Sequence, residues 1–127
     1  AKHKSNIYYH GSVSREILHQ ELKSFHLTLI PLINRIYGSV PSKIFEYTRL
    51  GLPILYFSDG EGADIVNTHK LGLTVNSLDF KHLNNVITDL SLLKIELPKK
   101  SELIKVSEKE FNLELQFRNF TKQLNTI

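Results

Sequence analysis

The residues from 38 to 57 constrain the fold of this chain more than any other segment. They read G-S-V-P-S-K-I-F-E-Y-T-R-L-G-L-P-I-L-Y-F, the pattern of a loop, a helix, a tight turn and a buried strand. Pro41 suits the first helical position, because its missing N–H would have no partner inside the helix and its φ is already near the helical value. Gly51 and Pro53 then end the helix. The apolar run Ile54–Phe57 follows as a strand.

Strand and helix patterns alternate along most of the chain, which predicts a parallel sheet covered on both faces. We therefore expect an α/β fold, a Rossmann-like three-layer sandwich followed by C-terminal helices. The whole chain, 1–127, is predicted to form one domain, with an α/β core at 1–97 and helices at 98–127. The predicted strands are residues 7–9, 27–32, 54–57 and 73–75, and the predicted helices are 14–24, 41–50, 63–70, 79–92 and two after residue 97.

Composition narrows the class of protein further. A chain of 127 residues with 41% hydrophobic content is large enough for a single core. It contains no cysteine, which excludes disulfides and thiolate metal sites. The longest apolar run contains Thr28 and Pro31 and is too short to span a bilayer. We therefore expect a soluble, cytoplasmic protein. The net charge of +3 and the pI near 9.1 fit an anionic ligand or an anionic membrane surface, and also an ordinary solvated surface.

Polar groups are concentrated where the helix at 41–50 is predicted to begin. Val40 would precede that helix without a side-chain oxygen, so the N–H groups of Ser42 and Lys43 lack a local acceptor unless Ser39 reaches them. Such donors beside a lysine and a serine hydroxyl suit a phosphate group. Glu46 lies on the same side of the first turns. The alternatives are a solvated helix start, and a glutamate stabilised by the helix dipole or paired with Lys43.

The segment V-P-S-K-I-F-E-Y-x3-G-L-P-I-L at residues 40–55 resembles the donor-nucleotide-binding half of GT-B glycosyltransferases. The resemblance is strongest to the large retaining group that includes bacterial capsule and lipopolysaccharide sugar transferases. Residues 6–13 (N-I-Y-Y-H-G-S-V), 27–32 and 71–75 (L-G-L-T-V) are similar to strands of that domain in the same order, and residues 111–114 (F-N-L-E) are similar to the start of its last helix. The ordered set is more specific than any one motif.

This resemblance assigns roles to individual residues. Glu46 matches the second glutamate of the family's E-x7-E motif, which binds the ribose hydroxyls of the donor nucleotide. Gly38 occupies the position of the first glutamate, which puts the donor-sugar contact and part of the catalytic function in doubt, and no catalytic residue is assigned. The resemblance implies a diphosphate site at Ser39, Ser42 and Lys43, and donor-sugar or base contacts at Gly11, Pro31, Leu32 and Gly38.

The function implied is the nucleotide-sugar-binding part of a retaining hexosyltransferase for bacterial surface polysaccharide. A full-length enzyme would transfer sugar from a nucleoside-diphosphate sugar to a glycan or lipid-linked acceptor. It would have an N-terminal acceptor domain and would need no metal. Peripheral contact with the inner face of the cytoplasmic membrane is left open. The isolated chain, which lacks the domain's first two strands, is expected to be inactive. The strand at 7–9 would then pair with that at 27–32, or the open edge would pair with a second copy of the chain. The alternative is a non-catalytic nucleotide-binding or protein-interaction module.

Two further classes of function have little support in the sequence. The basic residues are scattered and do not alternate with aromatic residues, so no nucleic-acid partner is expected. The six histidines have no metal-binding spacing such as H-E-x-x-H, so no metal site is expected.

Overall fold

The computed structural model describes residues 7–32, 40–112 and 121–124. Three parallel strands form one sheet in the order β1-β2-β3, with helices packed on both faces. This arrangement confirms the predicted α/β class and its Rossmann-like sandwich. The elements are α1 (Arg15–Leu22), β1 (Thr28–Pro31), α2 (Lys43–Arg49), β2 (Ile54–Phe57), α3 (Glu61–Thr68), β3 (Gly72–Val75), α4 (Phe80–Ser91) and α5 (Lys100–Glu110).

The central strand β2 is buried along its whole length, and its side chains alternate between the two faces. Ile54 and Tyr56 belong to the core that α2, α3 and α5 cover, while Leu55 and Phe57 belong to the core that α4 covers. Because the strands follow one another in chain order, right-handed crossovers place α2 and α3 on the same face. In this sandwich α2 therefore packs on the sheet with one side and faces away from the sheet with the other.

The pairing of β2 with β3 depends on a close approach of two backbones. Ile54 lies opposite Gly72, as Thr28 lies opposite Ile54 on the other side of β2. A Cβ atom added at Gly72 would collide with the carbonyl oxygen of Ile54. The φ of Gly72 is +156°, an angle that residues with a side chain rarely adopt. Glycine is therefore required where β3 begins.

Two of the predicted helix starts are confirmed by their caps. The Oγ of Ser14 accepts a hydrogen bond from the N–H of Ile17 at 3.3 Å, and the Oδ1 of Asp79 accepts one from the N–H of His82 at 3.0 Å. These side chains satisfy N–H groups that a helix start leaves without a partner.

The start of α2 differs from the prediction. The helix begins at Lys43, two residues after the predicted Pro41, and Ser42 precedes it without a side-chain cap. The carbonyl of Pro41 instead accepts the N–H of Ile44 at 3.2 Å, which makes a turn ahead of the helix. The end agrees with the prediction, since Gly51 follows the helix with φ of +74°.

The predicted strand at residues 7–9 is wrong. These residues form no strand, and Ile7, Tyr8 and Tyr9 are 84%, 76% and 95% exposed. Their side chains are not packed into the core, so the strand-like composition of this segment is not sufficient to form a strand. Over the described residues the sheet therefore has three strands instead of the four expected. The predicted last helix lies largely outside the described residues. Among the helices that the structure describes, none is long and apolar enough to cross a membrane.

Candidate functional site

A cavity of about 380 Å³ lies beside α2, between α1 and α5. Its volume is in the range of roughly 300–1,000 Å³ typical of small-molecule sites. The helix supplies one stripe of lining residues at spacings of three and four, while Ile44 and Thr48 are buried on its other side. The lining residues are Arg15 from α1, Ser42, Phe45, Glu46 and Arg49 from α2 and its start, and Ser107 and Phe111 from α5 and its end.

The cavity lies toward the carboxyl-terminal edge of the sheet. The helix α2 follows β1, so the start of α2 is at the end where the parallel strands finish. The helix α5 runs antiparallel to α2, because Lys100 packs at Gly51 and Phe111 packs against Phe45. Ligands of open α/β sheets bind outside the carboxyl ends of the strands. The position of this cavity therefore agrees with the general rule for such folds.

The central charged group of the cavity is the carboxylate of Glu46. Its side chain is 21% exposed, and its Oε1 lies 2.5 Å from the Nε2 of His19 and 3.6 Å from the Nη2 of Arg15. The hydrogen bond from His19 lowers the pKa of Glu46, against the opposing effect of burial, and the positive charge of Arg15 lowers it further. Glu46 is therefore ionised at neutral pH.

The contacts of this carboxylate are asymmetric. Within the described part of the chain, the hydrogen bond from His19 and the ion pair with Arg15 both involve Oε1. A carboxylate has two oxygens and about four lone-pair sites. The second oxygen therefore has capacity to accept hydrogen bonds from a bound molecule.

Two arginines and two serines complete the polar part of the lining. Arg15 is largely exposed, with 70% of its side chain accessible, and Arg49 is also exposed. Among the described lining residues Glu46 is the single acidic one, so these side chains together carry a net positive charge. Guanidinium groups bind phosphate through two parallel hydrogen bonds. The hydroxyls of Ser42 and Ser107 add neutral donors and acceptors.

An aromatic wall closes the cavity on the α5 side. The rings of Phe45 and Phe111 meet edge to face, with centroids 4.9 Å apart and an interplanar angle of 70°. On its other side, Phe111 meets the His69 ring at 5.1 Å. Such an arrangement is favourable because a ring edge is positive and a ring face is negative. The wall gives the cavity an apolar surface next to its charged groups.

The structure brings together only part of the predicted site. Ser42 and Glu46 both line the cavity, whereas Lys43 is exposed and does not. The contacts of Glu46 go to His19 and Arg15 on α1, where the sequence suggested Lys43 as the alternative partner. Two of the predicted residues, Gly38 and Ser39, lie outside the described residues.

The remaining predicted contacts lie away from the cavity. Gly11 is exposed in the segment before α1, with φ of +71°. Pro31 is exposed at the last position of β1, and Leu32 packs against the core on the α2 side of the sheet. Neither Pro31 nor Leu32 lines the cavity, although both lie at the carboxyl end of β1.

Several lining residues were missed by the sequence reasoning. Phe45 and Arg49 could have been found, because they lie three positions after Ser42 and three after Glu46 on the same helical stripe. Arg15 could not, and neither could His19, the partner of Glu46 outside the lining, since both contacts join α1 to α2 and that of His19 spans 27 residues of sequence. Nothing local in the sequence indicates that α1, which precedes β1, and α2, which follows it, approach each other in the fold.

No model of a protein family, no curated protein and no solved structure matches this chain. In the part of the chain that the structure describes, no group of three or more His, Asp or Glu side chains is placed to hold a metal ion. What remains is a parallel α/β domain with a positively charged, partly aromatic cavity toward the carboxyl edge of its sheet.

Proposed function

We propose that this chain is the donor-nucleotide-binding portion of a retaining GT-B glycosyltransferase that acts in bacterial surface polysaccharide synthesis. The observation that carries the proposal is the ionised Glu46, which lines a cavity of suitable size with two arginines beside it. The motif resemblance of residues 40–55 assigns the same glutamate to the ribose. The motif resemblance and the lining of the cavity therefore both support a role for this side chain.

A nucleoside diphosphate has three chemical parts, and the cavity offers a partner for each. The vicinal hydroxyls of the ribose would donate to the free Oε2 of Glu46. The diphosphate would accept hydrogen bonds from Arg15, Arg49 and Ser42. The base would lie against the aromatic wall of Phe45 and Phe111, where stacking on an aromatic ring contributes about 1–3 kcal/mol.

His19 has a supporting function in this proposal. Its hydrogen bond to Oε1 keeps Glu46 ionised and fixes the orientation of the carboxylate. A carboxylate held in one rotamer loses less side-chain entropy when a ligand binds. His19 is thus a positioning residue, which would act on the nucleotide only through Glu46.

In sugar transfer the bond between the anomeric carbon and the diphosphate oxygen breaks, and negative charge develops on the leaving nucleoside diphosphate. Guanidinium groups placed at that diphosphate stabilise the developing charge without a metal. The hydroxyl oxygen of a glycan or lipid-linked acceptor, bound by the N-terminal domain of a full-length enzyme, would form the new bond to the anomeric carbon, and its proton would leave with the nucleoside diphosphate. The isolated chain is therefore proposed to bind the donor nucleotide and to transfer no sugar.

The proposal is tested by calorimetric titration with UDP, GDP and ADP, alongside inorganic pyrophosphate. Glu46→Gln should weaken nucleoside diphosphates at least about tenfold, the loss of one charge-assisted hydrogen-bond set, while pyrophosphate should bind at least as tightly, because a negative charge beside two arginines is removed. Arg49→Gln should weaken both classes. Glu61→Gln, a first-turn glutamate on α3 that does not line the cavity, is the matched control. Equal nucleotide affinity of the wild type and Glu46→Gln would exclude the ribose assignment.

A non-catalytic nucleotide-binding module is the second candidate, and Gly38 favours it. That residue stands where the first glutamate of the motif would be. A module of this kind would bind nucleoside diphosphates through the same cavity without turnover. Sugar transfer by the chain when an acceptor domain is supplied would decide for the enzyme, and tight nucleotide binding without transfer would decide for the module.

A further inference from the structure

A second cavity, of about 290 Å³, lies at the opposite end of the sheet. Its floor is apolar and comes from the end of α1, the segment before β2 and the loop before α5, with Leu22, Leu52, Pro53 and Leu97 as its main residues. Leu22 and Leu52 are buried, so this floor is part of the packed structure. The groove lies away from the Glu46 cavity and has no part in the proposed nucleotide binding.

Part of the backbone that lines this groove is already hydrogen-bonded or lacks an N–H group. The N–H groups of Phe25, Gly51 and Leu52 bond to the carbonyls of Leu22, Thr48 and Tyr47, at 3.2, 3.0 and 3.0 Å. Two further lining residues are prolines, which have no N–H. A peptide that docks along a groove pairs its own backbone with such groups. These five positions therefore offer no free N–H group to a docked peptide, which favours an occupant without backbone amides.

Among the described residues that line the groove, the ionisable side chains are all basic. They are Lys23, His26 and Lys100. The stem of Lys100 lies across Gly51, where a Cβ atom would meet its Cγ. Lysine can cover apolar surface with its stem while the ammonium group stays in water. The neighbouring acidic residues in sequence, Glu21, Glu96 and Glu102, are exposed and do not line the groove.

We infer that this groove binds a single-chain anionic amphiphile, an alkyl chain that ends in a phosphate or carboxylate head. The chain would lie on the apolar floor, and the head would pair with Lys23 and Lys100 at the rim. The ring of Phe25, half exposed at the mouth, would cover part of the chain. The groove would hold one ligand molecule, and binding to a bilayer surface is a different outcome of the test.

The test uses octyl and decyl phosphate below their micelle concentrations, with decanol and inorganic phosphate as partial ligands. Binding to the full chain is followed by amide chemical shifts and by calorimetry. Full burial of a methylene contributes about 0.8 kcal/mol, so decyl phosphate should bind up to about fifteenfold more tightly than octyl phosphate. Decanol should bind about fivefold more weakly than decyl phosphate, because exposed ion pairs contribute up to about 1 kcal/mol. Shifts should concentrate at Gly51 and His26.

Two sets of variants test the contacts of the anionic head group and those of the alkyl chain separately. The double variant Lys23→Gln and Lys100→Gln should bind decyl phosphate and decanol equally, whereas Lys81→Gln with Lys94→Gln, a pair outside the groove, should keep the preference. Leu97→Trp should fill the groove and weaken every alkyl ligand, with its thermal melt as the folding control. Affinity independent of chain length, shifts at Glu46 instead of Gly51, or binding only to vesicles of anionic phospholipid would each overturn the inference.

Discussion

The Nε2 of His19 and the Oε1 of Glu46 lie 2.5 Å apart and connect α1 to α2. The two helices are separated in the chain by β1, so this hydrogen bond is a tertiary contact between elements that are not adjacent in sequence. It fixes one wall of the Glu46 cavity and the charge state of its central residue at the same time.

The contact should make stability depend on pH in the acid range. The folded-state pKa of Glu46 is lowered from its ordinary value of 4.5, chiefly by the hydrogen bond from His19. The ionised carboxylate therefore stabilises the fold fully above pH 4.5, and this contribution is lost as the pH falls through the folded-state pKa. We expect Glu46→Gln to lower the free energy of unfolding by about 1 kcal/mol near neutral pH, and by less at pH 3. Urea unfolding across this pH range measures the difference.

The contribution of His19 to the lowered pKa of Glu46 can be checked separately. His19→Ala should raise the pKa of the Glu46 carboxyl toward 4.5, measured by NMR titration of its side-chain carbon. Glu61→Gln, a first-turn variant of α3 outside the cavity, is the matched control for the urea unfolding experiments. A Glu46 pKa that stays low in His19→Ala would show that the arginines, and not His19, dominate.

The elements with strong local signals were the ones that sequence reasoning placed well. The cap residues Ser14 and Asp79 form hydrogen bonds within three residues, so their sequence context is enough to locate a helix start. The strand expected at residues 7–9 failed because a strand exists only where a neighbour pairs with it, and composition does not supply the neighbour. For the same reason the contact of His19 with Glu46 could not be predicted, because it depends on how α1 packs in the fold.

Gly72 should tolerate no side chain. In Gly72→Ala the new methyl group would collide with the Ile54 carbonyl oxygen, and the backbone would keep an unfavourable φ. We expect a loss of about 3 kcal/mol or more in the free energy of unfolding, because the two paired strands cannot separate without losing ladder hydrogen bonds. Gly11→Ala is the control, since Gly11 also has a positive φ but has open space around it. Its cost should be about 1–2 kcal/mol at most. Chemical denaturation compares the two.

The aromatic wall should show measurable coupling. A double-mutant cycle with Phe45→Leu and Phe111→Leu should give an interaction energy of about 0.5–1.5 kcal/mol, because these rings meet edge to face at 4.9 Å. Phe80 packs on Phe57 in the other face of the sheet. A cycle of Phe45→Leu with Phe80→Leu should therefore be additive. Coupling of equal size in both cycles would mean that the leucines perturb the whole core.

Pro31 should limit self-association through the edge of β1. The N–H groups of Thr28 and Leu32 point to β2, at 2.9 and 3.2 Å from the carbonyls of Pro53 and Phe57. By alternation, positions 29 and 31 face away from β2, and proline at position 31 has no N–H to offer. Pro31→Val should therefore dimerise at lower protein concentration than the wild type in sedimentation velocity. Pro98→Val, in the loop before α5, should behave like the wild type.

Each strand of the sheet pairs with the next strand in the chain, Thr28 with Ile54 and Ile54 with Gly72. The sheet and its two crossover helices thus form a continuous unit, while α1 and α5 attach from either end of the sequence and supply the two side walls of the Glu46 cavity. Regions of a protein can open separately when few interactions hold them to the rest. Amide hydrogens of α1 should therefore exchange with solvent by partial opening, faster than those of β2, and a nucleotide that bridges both walls should slow exchange in α1 far more than in the strands.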